Sequence, residues 1–217
     1  MIAREGWPFV GPGVALSAAL WWGWTVEPLL AIPAVLASVL ALFMLYFFRD
    51  PQRQPPADAE AGLVISAADG KVVGIEPIEH EEYEEYLGTE VVQLSIFLSP
   101  FDVHINRTPV SGTVDFVKWH RGRYLAAFVA AASTENEQSI IGIDSGAGRV
   151  IVKQIVGVVA RRIVCHLKQG DQVGLGERFG LIRFGSRVDL IMPRTTELRV
   201  QVGDRVRCGE TIIGAIK

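Results

Sequence analysis

The sequence is poor in cysteine and in net charge, and each shortage excludes a class of protein. It has 2 cysteines in 217 residues, too few for a fold held by disulfides. Cys165 and Cys208 also lack the close spacing of a metal site, so no metal ion is expected. Its 21 Lys+Arg against 24 Asp+Glu leave a net charge of −3 with no basic stripe, which argues against nucleic-acid binding.

Charge is missing locally from two long apolar runs near the N-terminus. Pro28–Phe48 is 21 residues without a charge. At ~1.5 Å per residue, such a run spans the ~30 Å hydrocarbon core of a bilayer. Gly6–Val26 is equally long, although its glycines, prolines and tryptophan cluster make it a weaker helix. Only Glu27 separates the runs, which predicts a transmembrane helical hairpin as a membrane anchor over residues 1–50.

Basic residues flank this predicted anchor at its outer ends. Arg4 precedes the first run, and Arg49 and Arg53 follow the second. Since Lys and Arg near a span favour the cytoplasmic side, both ends and the rest of the chain are expected on the cytoplasmic face of the cell membrane. A signal peptide and a buried core helix are the alternatives. The second run is long for a signal peptide and lacks the polar face of a core helix.

Residues 51–61 have the proline-rich, polar composition of a linker. Residues 62–217 have a sequence pattern typical of β-strands. Short Val/Ile-rich runs alternate with glycine-containing turns, and a helix is predicted only near Glu82–Leu87. We therefore predict a mainly β domain, a sandwich or barrel-like fold with few short helices. The predicted strands are Leu63–Ser66, Lys71–Ile75, Val91–Leu98, Gly112–Val117, Arg149–Val159, Leu181–Ile182, Asp189–Met192 and Leu198–Val202.

A short internal repeat supports this architecture. The segment Gly170–Glu177 recurs as Gly203–Glu210, each with a Gly-Asp turn followed by a step between strands. Similar repeats occur in biotinyl and lipoyl carrier domains, but neither copy here offers the exposed lysine that such carriers modify. The repeat therefore indicates β architecture and no attached carrier group.

The pair Gly185-Ser186 has two interpretations. A Gly-Ser pair between strands is commonly a turn. It is also what self-cleavage of a backbone requires, because the serine hydroxyl attacks the preceding carbonyl and glycine leaves that carbonyl unshielded. The resulting ester can eliminate to dehydroalanine, which hydrolyses to a pyruvoyl group at the new N-terminus.

Several short sequence motifs, called boxes below, favour the second interpretation. Taken in order over about residues 47–193, they resemble the motifs of phosphatidylserine decarboxylase proenzymes of the short bacterial and archaeal type. The boxes are Phe47–Pro51, Ser66–Val72 (with Ala67 where the family has proline), Phe97–Gly112, Glu135–Glu137, Ala160–Val164 and Arg183–Asp189.

The resemblance implies a proenzyme that cuts itself between Gly185 and Ser186. The products would be a β chain, Met1–Gly185, and an α chain, residues 186–217, which stay associated. A pyruvoyl group made from Ser186 would form a Schiff base with the serine amine of phosphatidylserine in the bilayer and act as the electron sink when CO₂ leaves. The expected product is phosphatidylethanolamine, a step of phospholipid biosynthesis.

The same resemblance suggests roles for other side chains. His104 is the candidate general base for Ser186 and the later proton donor, and Asp69 would orient it. Many relatives have a second histidine where this chain has Arg107, so His104 is expected to serve both steps here, or water assists.

Arginine suits the lipid phosphate, since guanidinium makes bidentate phosphate contacts, but solvated surface charge is an equal alternative for each arginine. Arg107, Arg161 and Arg162 are the candidates, with Arg121 and Arg123 as further possibilities. Relatives also suggest a homodimer. Two other functions stay open: a pyruvoyl-dependent decarboxylase of another amine-bearing acid, and an uncut, non-enzymatic membrane protein.

Overall fold

The fold comes from a computed structural model that describes residues 1–57, 60–127, 129, 131–158, 162–183 and 186–217. The chain divides into two compact units, Met1–Gln52 and Arg53–Lys217. The first unit is helical and the second is mainly β, as the composition of the two parts predicts.

The N-terminal unit contains two helices, α1 (Trp7–Trp24) and α2 (Ala31–Phe47). A short 3₁₀ turn, Pro28–Leu30, extends α2 into an apolar helix of 20 residues with a mean hydropathy of 2.4. Only 11% of its most apolar window is buried, so most of the apolar side chains of this helix are exposed. Among the described helices, this is the one that is long and apolar enough to cross a bilayer.

The helix α1 is continuous, although Pro12 lies inside it. It packs against α2 through small residues: a Cβ added at Gly13 would lie 3.7 Å from Ala41. The Ser17 and Ser38 hydroxyl oxygens lie 2.8 Å apart. Helices in membranes commonly pack in this way: small residues allow close approach, and polar side chains form hydrogen bonds between the helices. A two-span hairpin is compatible with these contacts and remains a proposal.

The second unit is built from fourteen strands and two short helices among its described residues. The helices are α3 (Glu81–Leu87) and α4 (Ala132–Glu135). The strands are β1 (Leu63–Ile65), β2 (Gly70–Ile78), β3 (Val91–Leu98), β4 (Ile105–Arg107), β5 (Gly112–His120), β6 (Gln138–Asp144), β7 (Arg149–Val156), β8 (Ile163–Cys165), β9 (Gln172–Val173), β10 (Arg178–Ile182), β11 (Ser186–Pro193), β12 (Glu197–Leu198), β13 (Arg205–Val206) and β14 (Ile212–Ala215).

One large antiparallel sheet dominates this unit, in the order β13-β2-β3-β11-β7-β6-β5-β9. Two three-stranded sheets, β1-β14-β12 and β4-β10-β8, complete it. The main core contains Leu94, Val152 and Leu190 from the large sheet, together with Phe179 and Ile213 from the small ones. The mainly β prediction is therefore confirmed, with a curled sheet and few helices.

The helix α3 covers part of the other face of the large sheet. Tyr83 packs there with Val91, Ile151 and Ile191 in a second, smaller core. Burial raises the pKa of the Tyr83 phenol to about 12, and the nearby carboxylates of Glu82 and Asp189 add to this rise. The glutamate-rich helix α3 is thus a surface helix with one buried aromatic anchor, Tyr83.

The two repeat copies contribute the two edge strands of the large sheet, β9 and β13. Each copy begins with a turn in which glycine has a positive φ, +89° at Gly170 and +104° at Gly203. Side chains rarely adopt this backbone conformation, so glycine is required at both turns. Each copy of the repeat therefore forms a glycine turn followed by an edge strand, one at each edge of the large sheet.

Candidate active site

Ser186 is the first residue of β11, the strand near the centre of the large sheet. Its Cα pairs with Leu98 of β3 on one side and with Val156 of β7 on the other. The side chain is completely buried. Within the described part of the chain, its Oγ has no hydrogen-bond partner. A buried hydroxyl that no neighbour holds is free to turn toward a reacting carbonyl.

His104 lies in the loop between β3 and β4 and is 2% exposed. Its Nδ1 is 3.0 Å from the carbonyl oxygen of Asp102. If Nδ1 carries the proton and donates to that carbonyl, Nε2 is the basic nitrogen of the neutral ring. In that tautomer, the ring offers the basic nitrogen that a general base requires.

The backbone brings His104 beside the strand that leads to the predicted cut. The N–H of Ile182, the last residue of β10, donates to the carbonyl of His104 at 3.3 Å. The next pair in register is Leu181 with Ile105. Phe184 and Gly185 lie outside the described residues, so of the two residues at the predicted cut only Ser186 is described.

Asn106, two residues after His104, is a buried polar residue. The sequence alone predicted no role for it. Its Oδ1 accepts a hydrogen bond of 2.8 Å from Gln154 Nε2, and its Nδ2 donates to the carbonyl of Ala67 at 3.3 Å. Gln154 also accepts from Ser139 at 2.8 Å. This chain of amides joins the second and third boxes to β7, and it gives these buried polar atoms hydrogen-bond partners.

Asp69 lies in the turn before β2, and its carboxylate has two described partners. Its Oδ1 accepts from the N–H of Cys208 at 2.7 Å, and its Oδ2 accepts from Arg53 at 3.0 Å. The other side of the Arg53 guanidinium donates to Glu210 at 2.9 Å. Orientation of His104 by Asp69 remains a prediction.

The candidate phosphate ligands lie in different surroundings. The Arg107 guanidinium donates to the carbonyl of Gly176 at 3.2 Å and is partly buried. Arg162 is exposed, and its carbonyl accepts from the N–H of Arg183 at 3.2 Å, close to the cleavage site in sequence. Arg161 lies outside the described residues.

A cavity of about 610 Å³ lies on the face of the large sheet opposite Ser186. Lys153, Ser133 and Arg187 are in its lining. Of the described residues, Ser186 and His104 are absent from its lining, and both are buried. Ser186 is therefore shielded from solvent by the described residues.

Comparisons with known proteins show the family to which the chain belongs. Residues 40–214 match the family model described as phosphatidylserine decarboxylase. The chain belongs to the phosphatidylserine decarboxylase family. The match includes every box that positions Ser186, His104 and Asp69.

Curated relatives in this family cover nearly the same length. A phosphatidylserine decarboxylase proenzyme of Symbiobacterium thermophilum is 46% identical over 218 residues, which is 100% of this chain and 96% of that protein. The proenzyme of that name from Geobacter metallireducens is 42% identical over 99% of this chain and 96% of its own length. One from Chlorobium chlorochromatii is 47% identical over 82% of this chain and 81% of its own length.

The two cysteines of this family member are free thiols. Burial raises the pKa of the Cys208 thiol above its ordinary range, and Asp69 adds to the rise while Arg107 and Arg53 oppose it. The thiol donates to the carbonyl of Ala67 at 3.2 Å. Cys208 is thus a neutral packing residue beside Asp69. In the described part of the chain, no group of three His, Cys, Asp or Glu side chains could hold a metal ion.

The Arg53 contacts predict an effect on stability. Arg53 and Asp69 have side chains that are both 13% exposed, so Arg53→Met leaves a largely buried carboxylate with one partner fewer. We expect a loss of about 1–3 kcal/mol in the free energy of unfolding. Urea unfolding of the chain, kept uncut by Ser186→Ala, measures it.

The matched control is Arg123→Met. Its ion pair with Glu135 is exposed, with side-chain exposures of 74% and 45%. Such surface pairs contribute about 0–1 kcal/mol, so this variant should unfold close to the reference. Equal effects of the two variants would show that Arg53 does not hold Asp69.

Proposed function

We propose that this chain is a self-processing phosphatidylserine decarboxylase that depends on a pyruvoyl group. It would convert phosphatidylserine to phosphatidylethanolamine and CO₂. The observation that carries this proposal is the family match over residues 40–214, in which Ser186 is a buried residue at the start of β11.

The first step we propose is self-cleavage. His104 takes the proton from Ser186 Oγ, and the oxygen attacks the Gly185 carbonyl carbon as the C–N bond breaks. The ester then eliminates, so that the former serine oxygen leaves with Gly185 as its carboxylate. Residue 186 becomes dehydroalanine, which takes up water and releases ammonia to leave the pyruvoyl group.

The residues around Ser186 fit this group. The pyruvoyl group would supply an electrophilic carbonyl that condenses with the substrate amine, with loss of water, and so provides the electron sink when the carboxyl group departs as CO₂. Because β11 continues directly from Ser186, the group would sit at the end of a strand paired on both sides. His104 would return a proton to the decarboxylated carbon, and the low exposure of its ring would exclude bulk water from that step.

Arginine side chains near the cut would bind the lipid phosphate. Arg161 and Arg162 precede β8, which pairs with β10, the strand that leads to the scissile bond. Arg107 is the third candidate, and its contact with Gly176 makes it the least available of the three. This assignment is supported by position and charge complementarity.

The location we propose is the cytoplasmic face of the cell membrane. The apolar helix Pro28–Phe47 would anchor the chain, with α1 as the second span of a hairpin. Arg4 and Arg49 flank the two helices with positive charge. A site tethered at the interface suits a substrate that stays in the bilayer. A homodimer of processed units stays a prediction.

The test is a decarboxylation assay on the purified full chain in mixed vesicles. Phosphatidylserine labelled at the serine carboxyl should release labelled CO₂, with phosphatidylethanolamine formed in equal amount. Free serine, phosphoserine and aspartate serve as competing substrates. Release from a soluble acid alone would favour the second pyruvoyl-dependent function, and an uncut, inactive chain would favour a non-enzymatic membrane protein.

A further inference from the structure

A cluster of buried charged side chains lies next to Ser186, and the proposed mechanism does not use it. Side chains alternate between the faces of a strand, so Ser186 and Val188 face the main core while Arg187 and Asp189 face the other side. Arg187 is 6% exposed and Asp189 is 0% exposed. Buried charges cost stability unless they are well paired, so their presence here calls for an explanation.

Arg187 and Asp189 make short hydrogen bonds to each other and to residues of other elements. Arg187 Nε donates to Asp189 Oδ1 at 2.6 Å, and its Nη2 donates to Ser95 Oγ at 2.6 Å. The second carboxylate oxygen of Asp189 accepts from Ser133 Oγ at 2.7 Å. Charge-assisted bonds of this length are the strong class of protein hydrogen bonds.

Lys153 closes the cluster from the neighbouring strand. It is the register partner of Asp189 on β7, and its ammonium donates to the Ser133 carbonyl at 2.6 Å. Burial lowers the pKa of Lys153 to about 8; Arg187 adds to this shift, whereas Asp189 opposes it. The three charged residues are at most 6% exposed, so their bonds are largely shielded from solvent.

The position of the proposed cut divides this cluster between two chains. Arg187 and Asp189 would be the second and fourth residues of the α chain, whereas Ser95, Ser133 and Lys153 belong to the β chain. A new chain end frays unless its side chains or backbone are tied down. The cluster supplies such ties within four residues of the pyruvoyl position.

We propose that Arg187 and Asp189, bound to Ser95 and Ser133, form a clamp that holds the start of the α chain after self-cleavage. The α-chain clamp keeps the group made from Ser186 in register with His104, so Arg187 and Asp189 are positioning residues. This inference rests on the proposed function. Before the cut, the covalent backbone holds Ser186, and the clamp matters less.

The test compares Arg187→Met with wild type in three measurements. Intact mass gives the extent of self-cleavage, phosphatidylserine vesicles give kcat and KM, and hydrogen exchange gives the protection of the peptide that starts at residue 186. We expect cleavage to proceed, kcat to fall by about tenfold or more, and KM to stay within about twofold. Exchange at the start of the α chain should accelerate by about tenfold or more.

Two variants complete the design. Arg194→Met is the matched control, because Arg194 follows the other end of β11 and pairs with Glu90 on the surface, and it should behave as wild type. Arg187→Lys keeps the charge and should recover part of kcat. If Arg187→Met does not fold, Ser95→Ala removes one bond of the clamp without removing a charge, and the same fall in kcat is expected.

The outcomes separate the clamp from the proposed function. A wild-type chain that stays uncut overturns the proposed function and, with it, the clamp. A cut and active wild type with unchanged kcat and exchange in Arg187→Met and Ser95→Ala overturns the clamp alone. Complete loss of cleavage in a folded Arg187→Met protein also overturns it, since Arg187 would then act before the cut.

Discussion

Ser186→Ala should abolish self-cleavage and, with it, all decarboxylation. Alanine has no nucleophile to attack the Gly185 carbonyl and no oxygen to eliminate, so neither the cut nor the pyruvoyl group can form. The fold should survive, because the Ser186 Oγ makes no hydrogen bond with the described residues and its loss leaves no polar partner behind. We expect one uncut chain by intact mass under denaturing conditions.

The wild-type chain in the same experiment should give two fragments. The smaller, residues 186–217, should have a blocked N-terminus with the mass of a pyruvoyl group. Ser145→Ala is the control serine, since its hydroxyl bonds to Gly148 in a surface turn, and it should be cut as wild type is. Cleavage of Ser186→Ala at the same bond would contradict the mechanism.

His104→Gln should slow self-cleavage by about 10²–10⁴-fold, the usual contribution of a positioned general base. Glutamine can keep a hydrogen bond to the Asp102 carbonyl but cannot accept the serine proton. Fragments should accumulate slowly in a time course of intact mass. The residual rate should rise with pH, because hydroxide then replaces the missing base.

His120→Gln is the matched control, because His120 is an exposed histidine at the end of β5. It should cut at the wild-type rate. Any His104→Gln protein that does become cut should still show a lower kcat on phosphatidylserine, since the proton donor is also lost. A cut His104→Gln enzyme with full kcat would assign proton donation to another group or to water.

The motifs and the mainly β fold could be predicted from the sequence because both depend on local sequence patterns. Runs rich in Val and Ile predicted β3, the whole of β7 and part of β11. The strands β4 and β6 were among the six that were not predicted; the others are β8, β9, β13 and β14. The strand β4 is only three residues long and lies inside a box, and β6 begins with Gln138-Ser139, which no hydrophobic pattern marks.

The partners of site residues were less accessible to sequence reasoning. The bond between Arg53 and Asp69 joins residues 16 apart, and that between Arg187 and Ser95 joins residues 92 apart. No spacing rule predicts such contacts, since they depend on which strands pair. A charged Arg-x-Asp after Gly-Ser was visible, but its burial was not.

Self-cleavage at Ser186, if it occurs as proposed, would change the kind of equilibrium that governs folding. The mature protein would be a complex of two polypeptides, and its shorter chain would supply β11, an inner strand that pairs with β3 and β7 of the longer one. Unfolding would then include dissociation, so the melting temperature would fall on dilution, whereas that of the uncut chain would not. A denatured mature enzyme would have to bring two chains together again, a step that the newly made single chain does not need.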